Sequence, residues 1–121
     1  MATAWQRLAT GGYGESQAAQ YLRRLGMEVL DRNWRCDLGE VNLVLRDGSA
    51  LVFCEVKTRV DDRFGSPVEQ VTQAKAARLR RLAARWLSEH DVRVEHVRLD
   101  VVGVLLDRPG DDRFTHLRGI G

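Results

Sequence analysis

Four polar residues interrupt two apolar segments in the first half of the chain, with the sequences GEVNLV and FCEVKTR. Glu40 and Asn42 are two residues apart in the first segment, and Glu55 and Lys57 are two apart in the second. Because side chains alternate between the faces of a β-strand, each pair shares a face. Carboxylate and amide oxygens beside an ammonium group suit a hard cation such as Mg²⁺ that activates water for attack on a phosphodiester. The four residues are therefore candidates for a metal-dependent catalytic site.

The two segments are predicted to form an antiparallel hairpin, because the RDGS sequence between them contains the Asp-Gly pair typical of tight turns. A two-residue loop of Asp47 and Gly48 would place Glu40 opposite Glu55, and a four-residue loop from Asp47 to Ala50 would place Asn42 opposite Glu55. Either even loop length puts all four polar side chains on one face of the sheet. The alternative is a salt-bridged rim at the sheet edge, in which Lys57 neutralises one of the two glutamates.

A first helix is predicted over residues 13–25, ending at Gly26. Its apolar stripe contains Ala18, Leu22 and Leu25, and Glu15 falls on the flank of that stripe. Two interpretations of Glu15 stay open. It either faces the candidate site or lies in the first helical turn, where an acid favours the positive end of the helix dipole.

A second helix is predicted to begin at Ser66, an N-cap candidate followed by Pro67 and by Glu69 as the last residue of a capping box. Its apolar side contains Val68, Val71, Thr72, Leu79, Leu82, Ala83 and Trp86. Lys75 falls within that apolar side, and Lys57 and Lys75 are the only lysines among the 19 basic residues of the chain. The basic flank of the helix contains Arg78, Arg81 and Arg85. Clustered cations of this kind are predicted to contact phosphate.

The remaining strand candidates lie at residues 27–30 with an extension into 33–37, at 97–106, and at 114–117. The 97–106 segment is continuously apolar, which is typical of a strand buried on both faces. The sequence therefore predicts an α/β fold with a mixed central sheet flanked by the two helices. We expect a single domain over residues 1–121, in which residues 1–11 and 107–121 are flexible or peripheral.

Composition narrows the class of protein. The chain is 44% hydrophobic and lacks both a signal-peptide pattern and a run approaching the ~20 apolar residues of a membrane span. We expect a soluble, cytoplasmic protein that does not enter a membrane. Cys36 and Cys54 fit no metal-binding or disulfide pattern and are predicted to be reduced, half-buried thiols. The scattered His90, His96 and His116 are predicted to be surface or capping residues, and the tryptophans to pack in or beside the core.

The order and spacing of these segments resemble the bacterial YraN family of endonuclease-like proteins. The resemblance rests on GYGESQAAQYLRRLGMEVLDRNWR before the hairpin, on the hairpin itself, and on RFGSPVEQVTQAKAARLRRLA and RLDVVGV after it. It extends from residue 12 to about residue 106. That family is similar to archaeal Holliday-junction resolvases and to the restriction-endonuclease-like superfamily, whose active site pairs an acid with an acid-x-Lys motif. The resemblance implies a restriction-endonuclease-like fold and Mg²⁺- or Mn²⁺-dependent cleavage of DNA, including branched structures.

The resemblance also implies residue roles. Glu55 would be a metal ligand, Lys57 the catalytic lysine, and Glu15 a helical acid that faces the site. Asn42 stands where the family's Gly-Glu-x-Asp motif has its metal-binding aspartate, and a neutral amide is a weaker ligand for Mg²⁺ than a carboxylate. Glu40, on the same face, is then the candidate substitute ligand.

The resemblance and the charge pattern together leave three functions open. The first is a metal-dependent endonuclease acting on DNA. The second is a catalytically silent module of the same fold that binds nucleic acid, and the third is a module that binds an acidic protein partner. The predicted nucleic-acid contacts are Arg59, Lys75, Arg78, Arg81 and Arg85, of which Lys75 matches a helix-borne lysine of the family. A homodimer is left open.

Overall fold

The computed structural model describes the backbone of residues 4–69 and 71–121 and the side chains of residues 12–69 and 71–121. The elements are α1 (Ala4–Arg24), β1 (Glu28–Cys36), β2 (Gly39–Asp47), β3 (Ala50–Arg59), α2 (Gln73–Glu89), β4 (His96–Leu105), a 3-10 turn (Gly110–Arg113) and β5 (Phe114–Leu117). Within the described ranges, the strands form one sheet in the order β1-β2-β3-β4-β5. The β3 and β4 strands are parallel, and the other neighbours are antiparallel. The predicted α/β fold with a mixed central sheet is confirmed, and it is compatible with a nuclease-like fold.

Helix α1 is longer than the sequence predicts, because it already begins at Ala4. It ends before Gly26 as predicted, and the φ angle of 97° at this residue is one that glycine adopts without strain. Ala18 and Leu22 are buried as expected. Leu25 is 46% exposed, so its assignment to the apolar stripe is wrong. It follows the last helical residue and has left the periodicity of the helix.

Helix α2 begins at Gln73 rather than at Ser66. Thr72 is the N-cap residue, and its side-chain oxygen accepts a hydrogen bond of 3.2 Å from the backbone N–H of Lys75. The buried face of the helix contains Ala76, Leu79, Leu82, Ala83 and Trp86. Four of these five residues belong to the predicted apolar side. The 3.6-residue periodicity therefore located the packing face correctly, although the predicted start of the helix was wrong.

The segment with the apparent capping box forms a separate turn. Ser66 accepts hydrogen bonds from the N–H of Val68 at its hydroxyl and from the N–H of Glu69 at its carbonyl. Pro67 and Val68 then pack on Gly103 of β4, where a Cβ atom would lie only 2.9 Å from a Val68 methyl group. This contact with the sheet holds the turn in place. The local signals at Ser66 thus describe a real helical turn, but the helix does not continue from it.

The sheet separates two apolar cores, one beneath each helix. The core on the α1 face contains Ala18, Ala19, Leu22, Met27, Leu43, Leu45, Val52, Cys54, Val56, Val102 and Val104. The core on the α2 face contains Val41, Val44, Leu51, Phe53, Leu79, Leu82, Ala83, Trp86 and Leu99. Strand β4 contributes to both cores, as predicted for a strand buried on both faces. In the described part of the chain, neither helix combines the length and the apolar character needed to cross a membrane.

The tryptophans follow the predictions where the structure describes them, and the cysteines do so in part. Both cysteines are free thiols and Cys36 is half-buried as predicted, but Cys54 is fully buried, so the prediction of a half-buried thiol is wrong there. Burial raises the pKa of the Cys54 thiol, so this group stays protonated. Trp86 lies in the core on the α2 face, and Trp34 packs against it. The predicted packing of Trp5 lies outside the described side chains.

The three histidines have three different environments. His90 is the C-cap residue of α2, and His96 is exposed, as predicted. His116 was predicted to be a surface or capping residue, but its side chain is only 7% exposed and its Nε2 lies 2.8 Å from Asp100 Oδ2. Asp100 is fully buried, and a buried carboxylate requires hydrogen-bond partners. The edge strand β5 brings His116 to Asp100, and sequence spacing does not reveal this pairing.

Candidate functional site

The hairpin that carries the predicted site has an even loop, as expected. Asp47 pairs with Ala50 across a two-residue loop, and the ladder continues to Leu43 opposite Cys54. Gly48 provides the left-handed φ angle of 59° that the turn requires. The register is the one predicted for the four-residue loop, with Asn42 level with Glu55, but the loop is shorter because Asp47 and Ala50 also pair, which leaves only Gly48 and Ser49 between the strands. The antiparallel pairing and the even loop parity of the sequence prediction are both confirmed.

The alternation of side chains along β2 breaks at Asn42. Leu43 belongs to the core on the α1 face, whereas Val41 belongs to the core on the α2 face. A regular strand would place residues two apart on the same face. The neighbouring strand is irregular at the same level, because Asn33 has a left-handed φ angle of 51°. The break directs Asn42 towards helix α1.

Asn42 connects three elements through its amide. Its Nδ2 donates a hydrogen bond of 3.1 Å to Glu15 Oε1 on α1. Its Oδ1 accepts a hydrogen bond of 2.8 Å from the backbone N–H of Val56 on β3. The side chain thus takes the place of a strand carbonyl where the β2–β3 ladder has ended. The role of Asn42 in this structure is to join helix α1 to the sheet.

Glu15 lies in the middle of α1, so its interpretation as a first-turn residue is wrong. Burial raises the pKa of Glu15, and the nearby charge of Glu40 adds to the increase, while a hydrogen bond from Asn33 opposes it. Glu40 is itself paired with Arg35, at 3.3 Å between Oε2 and Nη2. Glu15 and Glu40 therefore form an acidic pair of neighbours beside the amide of Asn42.

Glu55 and Lys57 face helix α2. The Oε1 atom of Glu55 lies 3.2 Å from Lys57 Nζ and 3.7 Å from Arg78 Nη2. Glu55, Lys57 and Lys75 line a small cleft of about 100 Å³. Its remaining wall is formed by Pro67, Val71 and Val101. The wall of the cleft contains one carboxylate, Glu55, and two cations, Lys57 and Lys75. A third cation, Arg78, contacts the carboxylate of Glu55.

The structure separates the five residues that were predicted to converge. Glu15, Glu40 and Asn42 lie towards α1, whereas Glu55 and Lys57 contact α2. The prediction of a common face is therefore wrong. An even loop places the polar residues of two strands on one face only if side chains alternate regularly along both strands. In β2 this alternation is broken between Asn42 and Leu43.

The residues predicted as metal ligands do not fit a divalent cation in this arrangement. The oxygen of Asn42 is occupied by the N–H of Val56, and its NH₂ group points at Glu15. Glu55 is already neutralised by two cations, and Glu40 is paired with an arginine. Among the described side chains, no three of the Asp, Glu, His and Cys residues are grouped as a metal site.

The predicted basic flank of α2 divides between several partners. Arg78 contacts Glu55, and Arg81 is exposed. Arg85 Nη1 lies 2.7 Å from Asp37 Oδ1, and this hydrogen bond lowers the pKa of Asp37 and raises that of Arg85. Arg59, also predicted to bind nucleic acid, donates to backbone carbonyls of the loop that follows β3. Lys75 and Arg78 are therefore the predicted contacts that lie at the cleft.

Comparison with known proteins identifies the family. A family model described as "Uncharacterised protein family UPF0102" matches residues 14–104. This range contains the whole hairpin, the acid of α1 and the basic residues of α2. The chain belongs to the UPF0102 family. The five residues that were predicted to converge therefore all lie within the range that matches the UPF0102 model: Glu15, Glu40, Asn42, Glu55 and Lys57.

Other UPF0102 proteins match almost the full length of the chain. A UPF0102 protein of Beutenbergia cavernae is 58% identical over 113 residues, which cover 93% of this chain and 96% of the relative. A UPF0102 protein of Frankia alni is 58% identical over 113 residues, covering 92% of each chain. One of a Nocardioides species is 54% identical over 113 residues, covering 93% of this chain and 91% of the relative. The similarity therefore extends well beyond the family-model match.

Proposed function

We propose that this UPF0102 protein binds nucleic acid in the cytoplasm through the cleft at Glu55. The observation that supports the proposal is the excess of positive charge there, with Lys57, Lys75 and Arg78 arranged around one carboxylate. Such a cleft attracts an oxyanion and repels a free cation. A volume of about 100 Å³ is room for roughly three water molecules at ~30 Å³ each, and for one phosphate group. Phosphate contacts of this kind position a nucleic acid without reading its sequence.

The endonuclease-like identity implied by the resemblance to the YraN family is the second candidate. It is supported by the pairing of Glu55 with Lys57, 3.2 Å apart, in the acid-x-Lys order at the end of a central strand. In that case the protein would cleave DNA, including branched structures, with Mg²⁺ or Mn²⁺. The poor fit of Asn42 to a cation favours the binding module over the enzyme, so we rank binding first.

The binding proposal is tested by the salt dependence of DNA affinity. We expect the double variant Lys57→Met with Lys75→Met to bind DNA more weakly and to reduce the slope of log K against log salt by about one, since the cleft holds one phosphate group and each lost phosphate contact changes the slope by ~0.9. The matched control is Arg85→Gln, which removes a cation of the same helix that is already paired with Asp37. An unchanged affinity and slope in the double variant would refute binding at the cleft.

The two candidates are separated by a cleavage assay on duplex and branched DNA with Mg²⁺ or Mn²⁺. The binding module predicts no cleavage by the natural sequence. Metal-dependent cleavage that is lost in both Glu55→Gln and Lys57→Ala would establish the endonuclease instead. Cleavage that survives both substitutions would come from a contaminant or from another site.

A further inference from the structure

The loop that leaves strand β3 presents an exposed aromatic ring. Phe64 is 86% exposed, which is the largest exposure among the big hydrophobic residues in the described part of the chain. Val60, in the same loop, is 63% exposed. An exposed aromatic ring of this kind offers a face on which a nucleobase can stack.

The backbone beneath the ring is held in place by several contacts. Arg59 Nη1 donates to the carbonyl oxygens of Phe64 at 3.2 Å and Gly65 at 3.1 Å. The N–H of Gly65 donates to the carbonyl of Asp62 at 2.9 Å. The carboxylate of Asp62 is in turn paired with Arg108 at 2.8 Å. The ring is thus presented by an ordered loop, which lowers the entropy lost when a ligand stacks on it.

The loop connects the exposed ring to the cationic cleft. Strand β3 runs from Glu55 through Lys57 to its end at Arg59, and the loop returns to the sheet at Pro67, which lines the cleft three residues after Phe64. The cleft, at about 100 Å³, is of a size for a phosphate group. A base attached to a phosphate bound there can then lie at the surface beside the cleft, where the loop with Phe64 leaves the sheet.

We propose that Phe64 is a stacking platform for an unpaired base of a nucleic acid whose phosphate occupies the cleft at Glu55. The ligand class is then single-stranded or locally unpaired nucleic acid, because the bases of a continuous duplex are stacked on each other and present no free face. This inference rests on the proposed function. A nucleic acid suits the site better than an acidic protein, because it supplies both a phosphate for the cationic cleft and a base that stacks on the exposed ring.

The test compares binding of a single-stranded oligonucleotide with binding of the matching duplex, by fluorescence anisotropy at fixed salt. We expect Phe64→Ala to weaken single-strand binding by about tenfold or more, as for other base-stacking aromatics. Duplex binding and the salt slope should change little, and Phe64→Trp should retain the affinity. Val60→Ala, which shortens an exposed side chain of the same loop, is the matched control. Equal losses on both ligands, or no loss on either, would overturn the proposal.

Two further measurements distinguish a failure of the stacking proposal from a failure of the cleft proposal. If Lys57→Met with Lys75→Met leaves all binding unchanged, the cleft proposal fails whatever Phe64 does. If the cleft variants weaken binding but Phe64→Ala does not, only the stacking proposal fails. If Phe64→Ala instead converts a dimer to a monomer in size-exclusion chromatography, the ring belongs to a contact between copies of the chain and the stacking role is refuted.

Discussion

Replacing the amide of Asn42 with a carboxylate tests how the α1 side of the site is built. In the Asn42→Asp variant, the donor that lies 3.1 Å from Glu15 becomes a second acceptor of the same charge. Two unit charges ~4 Å apart interact by about 4 kcal/mol at an effective dielectric constant of ~20. Because Glu15 is half-buried, salt and side-chain movement reduce this to roughly 1–3 kcal/mol. We therefore expect the variant to be less stable than the natural sequence at neutral pH.

The loss of stability should depend on pH and on metal. Repulsion raises the folded-state pKa values of the pair above those in the unfolded chain, so the variant should approach natural stability at low pH and lose it as pH rises. A divalent cation should reverse the loss, because it binds the paired carboxylates. At a concentration ten times Kd it adds about 1.4 kcal/mol. The measurement is the thermal unfolding midpoint between pH 4 and 8, with and without Mg²⁺ or Mn²⁺.

Two control variants isolate the charge effect. Asn42→Ala removes both hydrogen bonds without adding charge, so it should be destabilised but unaffected by metal. The double variant Glu15→Gln with Asn42→Asp exchanges donor and acceptor, so it should recover stability at neutral pH. A single Asn42→Asp variant with the natural midpoint at pH 7, and no shift with metal, would refute the assigned contact. DNA cleavage gained only in this variant would show that the natural sequence holds a dormant metal site.

Three other substitutions follow from contacts in the fold. Asp100→Asn should lower the free energy of unfolding by about 3 kcal/mol at pH 7. Burial alone would raise the pKa of Asp100, but hydrogen bonds from His116 and other donors lower it. The difference in stability between the variant and the natural sequence should therefore shrink as pH falls below the ordinary pKa range of Asp, and urea unfolding would measure it. Gly14→Ala should cost about 1–3 kcal/mol in urea unfolding, because a Cβ would overlap Thr58. Thr72→Ala should lower the thermal midpoint through the loss of ~1 kcal/mol of N-cap stabilisation, and an unchanged midpoint would contradict the assigned cap.

The sequence predicted the elements whose signals are local. The Asp-Gly turn, the stop at Gly26 and the helical periodicity around Leu79 and Trp86 each depend on neighbouring residues, and the structure confirms them. The start of α2 was mispredicted because the turn at Ser66 is held by packing against Gly103, which is distant in the chain. The pairing of His116 with Asp100 depends on strand order in the same way.

The prediction of a common face failed at a single step of backbone geometry. The antiparallel hairpin and its even loop length were correct, but the alternation of side chains was extended through Asn42, where β2 breaks it. Asparagine adopts positive φ angles more readily than most residues, so the residue type of Asn33, which lies opposite Asn42, was the signal in the sequence that such a break was possible. The exposure of Phe64 could not be predicted from the sequence, which showed only the polar, turn-like character of the loop.

The break in β2 has a consequence for mutagenesis of the two groups of polar residues. It gives the acidic group near Glu15 and the cationic cleft at Glu55 separate sides of the sheet. Substitutions at position 42 therefore alter the acidic side without touching the residues that line the cleft. The acidic group and the cleft are thus two parts of one sheet that can be altered separately by mutation, and a change measured at one does not report on the other.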